Sequence, residues 1–327
     1  MSLRNLILKI GYPLLELLPE KMMTKVKLVG NVLVNDWRME PFCFFDINQT
    51  MPETETQKLF DQEDEETMKI LHRQYLLGEL FIAEKNHRRF FFNHSGLLYP
   101  QEADTIKEIY KAQKRFVRQT GLKDVGPETF YYKHGLNLLE LSQREQQKAR
   151  ANIDAGAYRG ESMLVLQDFL PSHIYAFEPS PTNCSAIQAT IERNQMDRNI
   201  FSVIPMGLSD QVGILHIRDS GGATVNIHSK GDTMCEVTTI DLFVEKHPCD
   251  IGMIKADVEG EGLRLLRGGL KTICRNRPLL SIAVYHCAEE FVGIPKLLRE
   301  LDLDYKIHLR CLNPMSISGE ITLLAIP

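Results

Sequence analysis

The chain has 327 residues, 43% of them hydrophobic and 25% charged, with a formal net charge of -5 and a sequence pI near 6.1. That is length enough for two domains and apolar content enough for a packed core, and the acidic balance excludes nucleic acid as the main partner while leaving a neutral or acidic small substrate open. The seven cysteines (Cys43, Cys184, Cys235, Cys249, Cys274, Cys287 and Cys311) are odd in number, scattered and never spaced C-x-x-C. This argues against a disulfide framework and a zinc site, and predicts reduced core residues in a cytoplasm; no metal ligand is assigned, while metal assistance around Asp257 and Glu259 stays conceivable.

At the N-terminus Leu3, Leu6, Ile7, Ile10, Leu14, Leu17 and Leu18 recur at helical spacing, but Arg4, Lys9, Pro13 and Glu16 interrupt them. No apolar run reaches the roughly 18 residues a membrane span needs, and no small-residue cleavage site follows. A helix packed on its own domain is expected, with peripheral contact to a membrane surface or a partner as the alternative. Leu71, Tyr75, Leu76, Leu80 and Phe81 share one face of a further helix. Another opens after Tyr99-Pro100, presents Ile106, Ile109, Tyr110, Phe116 and Val117, and ends at Gly121. The run Glu63-Asp64-Glu65-Glu66 reads as a solvated helix start, acids suiting the positive end of the dipole. His87-Arg88-Arg89 beside Phe90-Phe91-Phe92 has the composition of a phosphate or nucleotide site, although a strand edge or helix end with its charges in water is the plainer reading. Residues 1–129 are therefore expected to form a mainly helical N-terminal domain of unassigned role.

From residue 151 strands and helices alternate, the pattern of an α/β fold with a doubly wound, mostly parallel sheet. The first strand runs into Ile153-Asp154-Ala155-Gly156-Ala157-Tyr158-Arg159-Gly160, and the second ends in Phe177-Glu178-Pro179. Ser180 should cap the next helix, with Pro181 at its first position, Ile187 and Ile191 facing the sheet, and an end near Asn194. A third strand covers 201–206 and leads to Gly207-Leu208-Ser209-Asp210, and a short strand covers 214–217. After the loop Ser220-Gly221-Gly222 comes a segment whose Asp241 is expected to open a helix. Core strands follow at 251–256 and 279–285, and 305–309 with 321–326 is expected as an antiparallel pair at the sheet edge.

In such sheets ligands bind outside the carboxyl ends of the strands. The first βα turn lacks G-x-G-x-x-G and so has no pyrophosphate fingerprint, whereas Glu178 stands where a ribose diol is gripped. S-adenosyl-L-methionine, a nucleoside without phosphates, fits better than NAD. Asp154 can bond loop amides or an amine, Gly156 and Gly160 leave room for a cofactor, and Ser209 or Asp210 can take the adenine amino group or make an ordinary hairpin turn. Lys255-Ala256-Asp257-Val258-Glu259-Gly260-Glu261-Gly262 sets three acids and a lysine in and after a buried strand, where Asp257 is expected to be paired, with Lys255 as the partner in reach. A hydroxyl acceptor must lose its proton, and Asp257, Glu259 and His286 are each able to take it. The plainer reading is an ion-paired loop and a hydrogen-bonded histidine.

Residues 130–326 resemble the FkbM family of S-adenosylmethionine-dependent methyltransferases, through residues 153–162, Ala176-Phe177-Glu178-Pro179-Ser180-Pro181, Thr238-Thr239-Ile240-Asp241 and above all Ile254-Lys255-Ala256-Asp257-Val258-Glu259-Gly260. Tyr285-His286, Glu289 and Ile294-Pro295 resemble a subgroup. The resemblance implies a class I methyltransferase (Rossmann-like) fold over 130–327, with cofactor contacts from Asp154, Ala155, Gly156, Ala157, Gly160, Ser162, Glu178 and Pro179, joined by Ser209, Asp210 and Asp257. It implies O-methylation of a hydroxyl on a sugar, glycan or natural product, while the catalytic candidates read from the residues themselves stay Lys255, Asp257, Glu259 and His286. The chain departs from many relatives in reading Glu261-Gly262 after Gly260, which leaves Glu261 to substitute for the second acid. A non-catalytic nucleoside-cofactor-binding protein and an NAD(P)-dependent oxidoreductase are the rival readings.

Overall fold

The computed structural model describes residues 47, 49–83, 100–145, 148–217, 233–314 and 319–327. The N-terminal amphipathic stretch, the 87–92 run and the Ser220-Gly221-Gly222 loop lie outside these residues. Ten strands are described: β1 (Ala151–Ala155), β2 (His173–Phe177), β3 (Phe201–Ile204), β4 (Gly207–Leu208), β5 (Gly213–Ile217), β6 (Thr233–Thr238), β7 (Ile251–Ala256), β8 (Leu279–Ala283), β9 (Lys306–Cys311) and β10 (Ile321–Ile326). The main sheet has the order β3-β2-β1-β7-β8-β10-β9. β10 pairs antiparallel with both neighbours and is the one reversed strand of the seven. A small second sheet, β4-β6-β5, stands beside it.

β1, β7, β8 and β10 are buried at every position, as expected for strands covered on both faces. Side chains alternate between two apolar layers: Ile321, Leu323 and Ala325 of β10 join one cluster, and Leu324 and Ile326 join the other. The covering helices include α1 (Glu65–Ala83), α2 (Pro100–Thr120), α3 (Glu161–Leu166), α4 (Pro181–Arg193), α5 (Ile240–Lys246), α6 (Gly262–Arg267), α7 (Leu270–Asn276) and α8 (Ala288–Glu300). α2 ends at Gly121, whose φ of +74° supplies the left-handed residue that closes a helix. α4 is capped by the Ser180 side chain, which accepts from the Asn183 amide.

Two local expectations are corrected. Asp241 lies in the first turn of α5, but the cap there is Thr239, which accepts from the Leu242 amide. Asp241 instead accepts from the amides of Lys271 and Thr272 and caps α7, thirty residues away, because the α5 and α7 starts are packed together. Asp64 is not a solvated helix-start charge. It accepts from the amides of Glu66 and Thr67 and is engaged by His308 and by Arg310 Nη1 at 2.7 Å. Burial pushes its carboxyl up, but those partners outweigh it and hold the group well below the usual carboxylate range.

This contact places α1 against the sheet edge. Ile70, Leu71 and Tyr75 belong to the same buried cluster as Ile307 and Leu309 of β9. The Asp61 amide donates to the Ile307 carbonyl at 2.9 Å, and Thr67 Oγ1 accepts from the Leu309 amide at 2.9 Å. The free edge of β9 is thereby satisfied by the helical segment instead of being left open to another strand. The six described cysteines are free thiols, of which Cys235 and Cys311 are buried, so only these two are core residues. Among the described residues no helix is long and apolar enough to cross a membrane.

Candidate functional site

The turn after β1 is built backbone against backbone. The amides of Gly156 and Ala157 donate to the Phe177 carbonyl at the end of β2, and the Asp257 amide donates to the Ala155 carbonyl. Gly156 has a φ of +74°, and a Cβ there would lie 1.9 Å from the Asp257 carbonyl oxygen. Only glycine lets the β1 turn and the β7 loop close on one another. Gly160, also left-handed, packs toward Ile187 of α4 instead of toward open space.

Buried charges lock this turn. Asp154 and Lys255 are register partners on the adjacent strands β1 and β7, so their side chains share a face. Lys255 Nζ lies 3.1 Å from Asp154 Oδ1 and donates to the Gly156 carbonyl at 2.8 Å and toward the Ala155 carbonyl at 3.5 Å. Burial lowers the lysine pKa, but Asp154 and Asp257 more than offset this and raise it above its ordinary value, so the ammonium persists. Asp154 also accepts from Ser162 Oγ. The partner of Lys255 is therefore Asp154 and not Asp257, because register decides which carboxylate stands beside the lysine.

Glu178 follows β2 directly. Its Oε2 accepts from the Tyr158 amide at 2.9 Å, and its Oε1 accepts from the Ser180 amide at 2.9 Å and from Asn183 Nδ2 at 3.3 Å. The residue is 3% exposed, and burial raises its pKa against those donors. It ties the glycine turn to the start of α4 while lining open space on two sides.

Asp257 pairs with His286, whose Nε2 is 3.3 Å from Asp257 Oδ1 and 3.7 Å from Glu259 Oε2. The other ring nitrogen is 3.2 Å from Glu290 Oε2, and Glu290 Oε1 accepts from the Gly262 amide at 2.7 Å. Burial lowers the His286 pKa, but the carboxylates of Asp257 and Glu290 beside its two ring nitrogens carry it well above the ordinary value, which favours the imidazolium. Burial likewise pushes Asp257 up, while His286 and Lys255 hold it at about 2. Glu259 has a φ of +53°, an uncommon conformation for a side-chain-bearing residue, and is followed by left-handed Gly260. That bend turns Glu259 into the same cleft.

Two cavities meet at Gly156, Glu178, Asp257 and Glu259. One is walled by Phe177, Leu208, Leu215, Ile217 and Val237, largely from the small sheet, with Ala155, Pro179 and Glu261 also lining it. The other is lined by Glu128, His134, Glu161, Lys255, Tyr285 and Glu320, with Ser162 and Asp124 beside them. Asp154 and Ala157 lie beneath the turn, His286 lies behind Asp257, and Ser209 and Asp210 line neither cavity. Ser209 instead packs its carbonyl against Gly268 and donates to Asp210 at 3.3 Å.

Sequence reasoning missed Glu128, His134, Glu161 and Glu320, which converge only in three dimensions. Burial pushes the carboxyls of Glu128 and Glu161 up to about 7. Burial together with the charges of Glu128 and Asp257 puts Glu320 well above the carboxylate range. Burial and Lys255 lower His134 to about 3, so that ring is neutral. Their signal in the sequence was slight, since Glu128 stands in the short helix Pro127–Phe130 and Glu320 just before β10. Among the described residues no cluster of histidine, cysteine or carboxylate could hold a metal ion.

A family model described as methyltransferase FkbM domain matches residues 154–307. Among solved structures, methyltransferase FkbM from Methylobacillus flagellatus KT aligns with 86% of this chain and 60% of that one, at 17% identity and a TM-score of 0.56. The chain thus spans about three fifths of that protein's length. The likeness shows the fold, which is the doubly wound class I methyltransferase sheet expected from the sequence. An O-methyltransferase from Bacillus cereus in complex with SAH is 16% identical over 68% of this chain and 91% of that one, with a TM-score of 0.38. TomG of Streptomyces achromogenes, an O-methyltransferase of tomaymycin synthesis in complex with SAM, is 12% identical over 67% and 88%, with a TM-score of 0.39. At those TM-scores neither constrains this chain. No curated protein matches the sequence at a significant level.

Proposed function

We propose that the chain, whose residues 154–307 match a methyltransferase FkbM domain model, uses S-adenosylmethionine to methylate a hydroxyl of a sugar, glycan or natural product. The observation that carries the reading is the meeting of an apolar cavity and an acidic cavity at Gly156, Glu178, Asp257 and Glu259. The fit to the cofactor is chemical. The apolar cavity suits an adenine ring, Glu178 at its edge suits ribose hydroxyls, and the acids beyond suit a sulfonium and an ammonium. When bound, the cofactor supplies an electrophilic methyl group.

The chain's own residues then orient the acceptor and take its proton. Lys255 and His286 are positioning residues in this reading: the lysine spends its donors on Asp154 and the glycine turn, and the histidine is held between Asp257 and Glu290. Asp257, at about 2, is a weak base at neutral pH but a strong hydrogen-bond acceptor for the incoming hydroxyl. Glu259, which lines both cavities, takes the proton. Glu128 and Glu161, near 7, can hold or release a proton at the operating pH. The cofactor contacts assigned from the sequence to Asp154, Ala157 and Gly160 act through the shape of the turn, while those of Ala155, Gly156, Ser162 and Pro179 are direct. Ser209 and Asp210, assigned from the sequence to the adenine amino group, line neither cavity and carry no part of this reading.

Calorimetry with S-adenosylhomocysteine tests the first half of this reading, and a screen of acceptors with methyl-labelled cofactor tests the second. Saturable binding that is lost in Glu178→Gln, followed by label transfer that falls in Glu259→Gln, is the expected result. An absence of binding by the parent protein, or binding of NAD(H) in its place, overturns the reading.

A further inference from the structure

A third cavity adjoins the acidic one: Asp124, Val125, Tyr158 and Glu161 line both. In this outer cavity the sign of the charge reverses. Lys123, Arg159 and Arg193 contribute to its wall, and Asp124 and Glu161, on the boundary with the inner cavity, are its only acids among the described residues.

The cations come from three separate elements that the fold has brought together. Arg159 stands on the glycine turn that Glu178 fixes through the Tyr158 amide, and its guanidinium lies 4.7 Å from the centroid of the Tyr158 ring. Arg193 ends α4 and packs on Gly121, where an added Cβ would meet Nη1 at 3.1 Å. Lys123 follows two residues later. Among the described residues neither Lys123 nor Arg193 forms an ion pair. Glu161, whose carboxyl burial raises to about 7, carries only part of its negative charge at neutral pH. Planar guanidiniums held against a ring and a backbone, with a lysine beside them, suit a tetrahedral dianion.

We propose that this outer cavity binds a phosphate-type group carried by the methyl acceptor, whose hydroxyl end enters the acidic cavity. The proposal rests on the reading of the inner cavity as the acceptor site. The reversal of charge gives such a molecule one orientation: its anionic end is repelled by the inner carboxylates and held outside, so the neutral hydroxyl end leads.

The test needs no knowledge of the acceptor. Pyrophosphate is titrated calorimetrically into the full chain, with and without S-adenosylhomocysteine, and succinate is run in parallel. Saturable pyrophosphate binding is expected, weakened at least tenfold in the Arg159→Gln/Arg193→Gln double variant and two- to threefold in Lys123→Gln, with thermal melting unchanged in the exposed-site variant Lys123→Gln. Binding should also weaken when salt is raised from about 50 to 200 mM, as exposed charges are screened. Absence of saturable binding, a double variant within twofold of the parent, or succinate binding as tightly as pyrophosphate would each overturn the proposal. The two readings fail separately: S-adenosylhomocysteine binding by the parent without pyrophosphate binding overturns only this proposal, and absence of S-adenosylhomocysteine binding overturns the reading of the inner site.

Discussion

Replacing Lys255 by methionine isolates the energetic role of the buried pair. The side chain keeps its apolar stem but loses the ammonium that lies 3.1 Å from Asp154 Oδ1 and 2.8 Å from the Gly156 carbonyl. Asp154 is fully buried, and among the described residues its remaining partner is the Ser162 hydroxyl. A buried charge stripped of its counter-ion costs about 3–5 kcal/mol. At roughly 2–4 °C per kcal/mol, the melting temperature should fall on the order of 10 °C. Adding Asp154→Asn to the same chain removes the orphaned charge, so the double variant should recover about half the loss even though it carries two changes. Urea unfolding of the parent, both single variants and the double variant closes the cycle. A Lys255→Met variant within about 1 kcal/mol of the parent, or a double variant no more stable than that single one, would refute the account. The positioning role makes a further demand: affinity for S-adenosylhomocysteine should drop with stability, because the glycine turn loses its tether.

His286 should remain protonated through neutral pH, with imidazole nitrogen shifts, assigned by comparison with His286→Gln, showing no titration near 6.5. Its pKa is raised, so its contribution to stability is complete below about 6.5 and fades as pH climbs through the raised value. That of Asp257, held at about 2, is present above its ordinary 3.8 and is lost as pH falls toward 2. Gly156→Ala forces a Cβ to within 1.9 Å of the Asp257 carbonyl at a left-handed φ, and should cost more than about 1 kcal/mol. Calorimetry should find it unable to bind S-adenosylhomocysteine, and affinity within threefold of the parent would count against the role of that turn. Asp241→Ala should lower stability by about 1 kcal/mol in urea, with the α7 amides of Lys271 and Thr272 losing hydrogen-exchange protection while those of α5 keep theirs.

The local signals were strong enough to fix the elements that carry the site. Short apolar runs alternating with helical segments marked the core strands, Ser180-Pro181 marked the start of α4, and Gly121 marked the end of α2. The acids of the β1, β2 and β7 ends could be foreseen as neighbours because parallel strands of one sheet must all open at the same edge. What could not be foreseen was which charge pairs with which. Lys255 meets Asp154 through the β1–β7 register, a contact between residues about one hundred positions apart. His286 meets Asp257 because the loops after β7 and β8 run side by side, and Asp241 caps a helix other than its own. Glu128, Glu161 and Glu320 reach one cavity from three distant segments, and their shifted pKa values arise from burial. Hydrophobic period and turn chemistry are written within a few residues, so the sequence by itself determines them. Charge pairing and desolvation depend on distances of a few ångströms across the packed chain, and only the tertiary structure sets those distances.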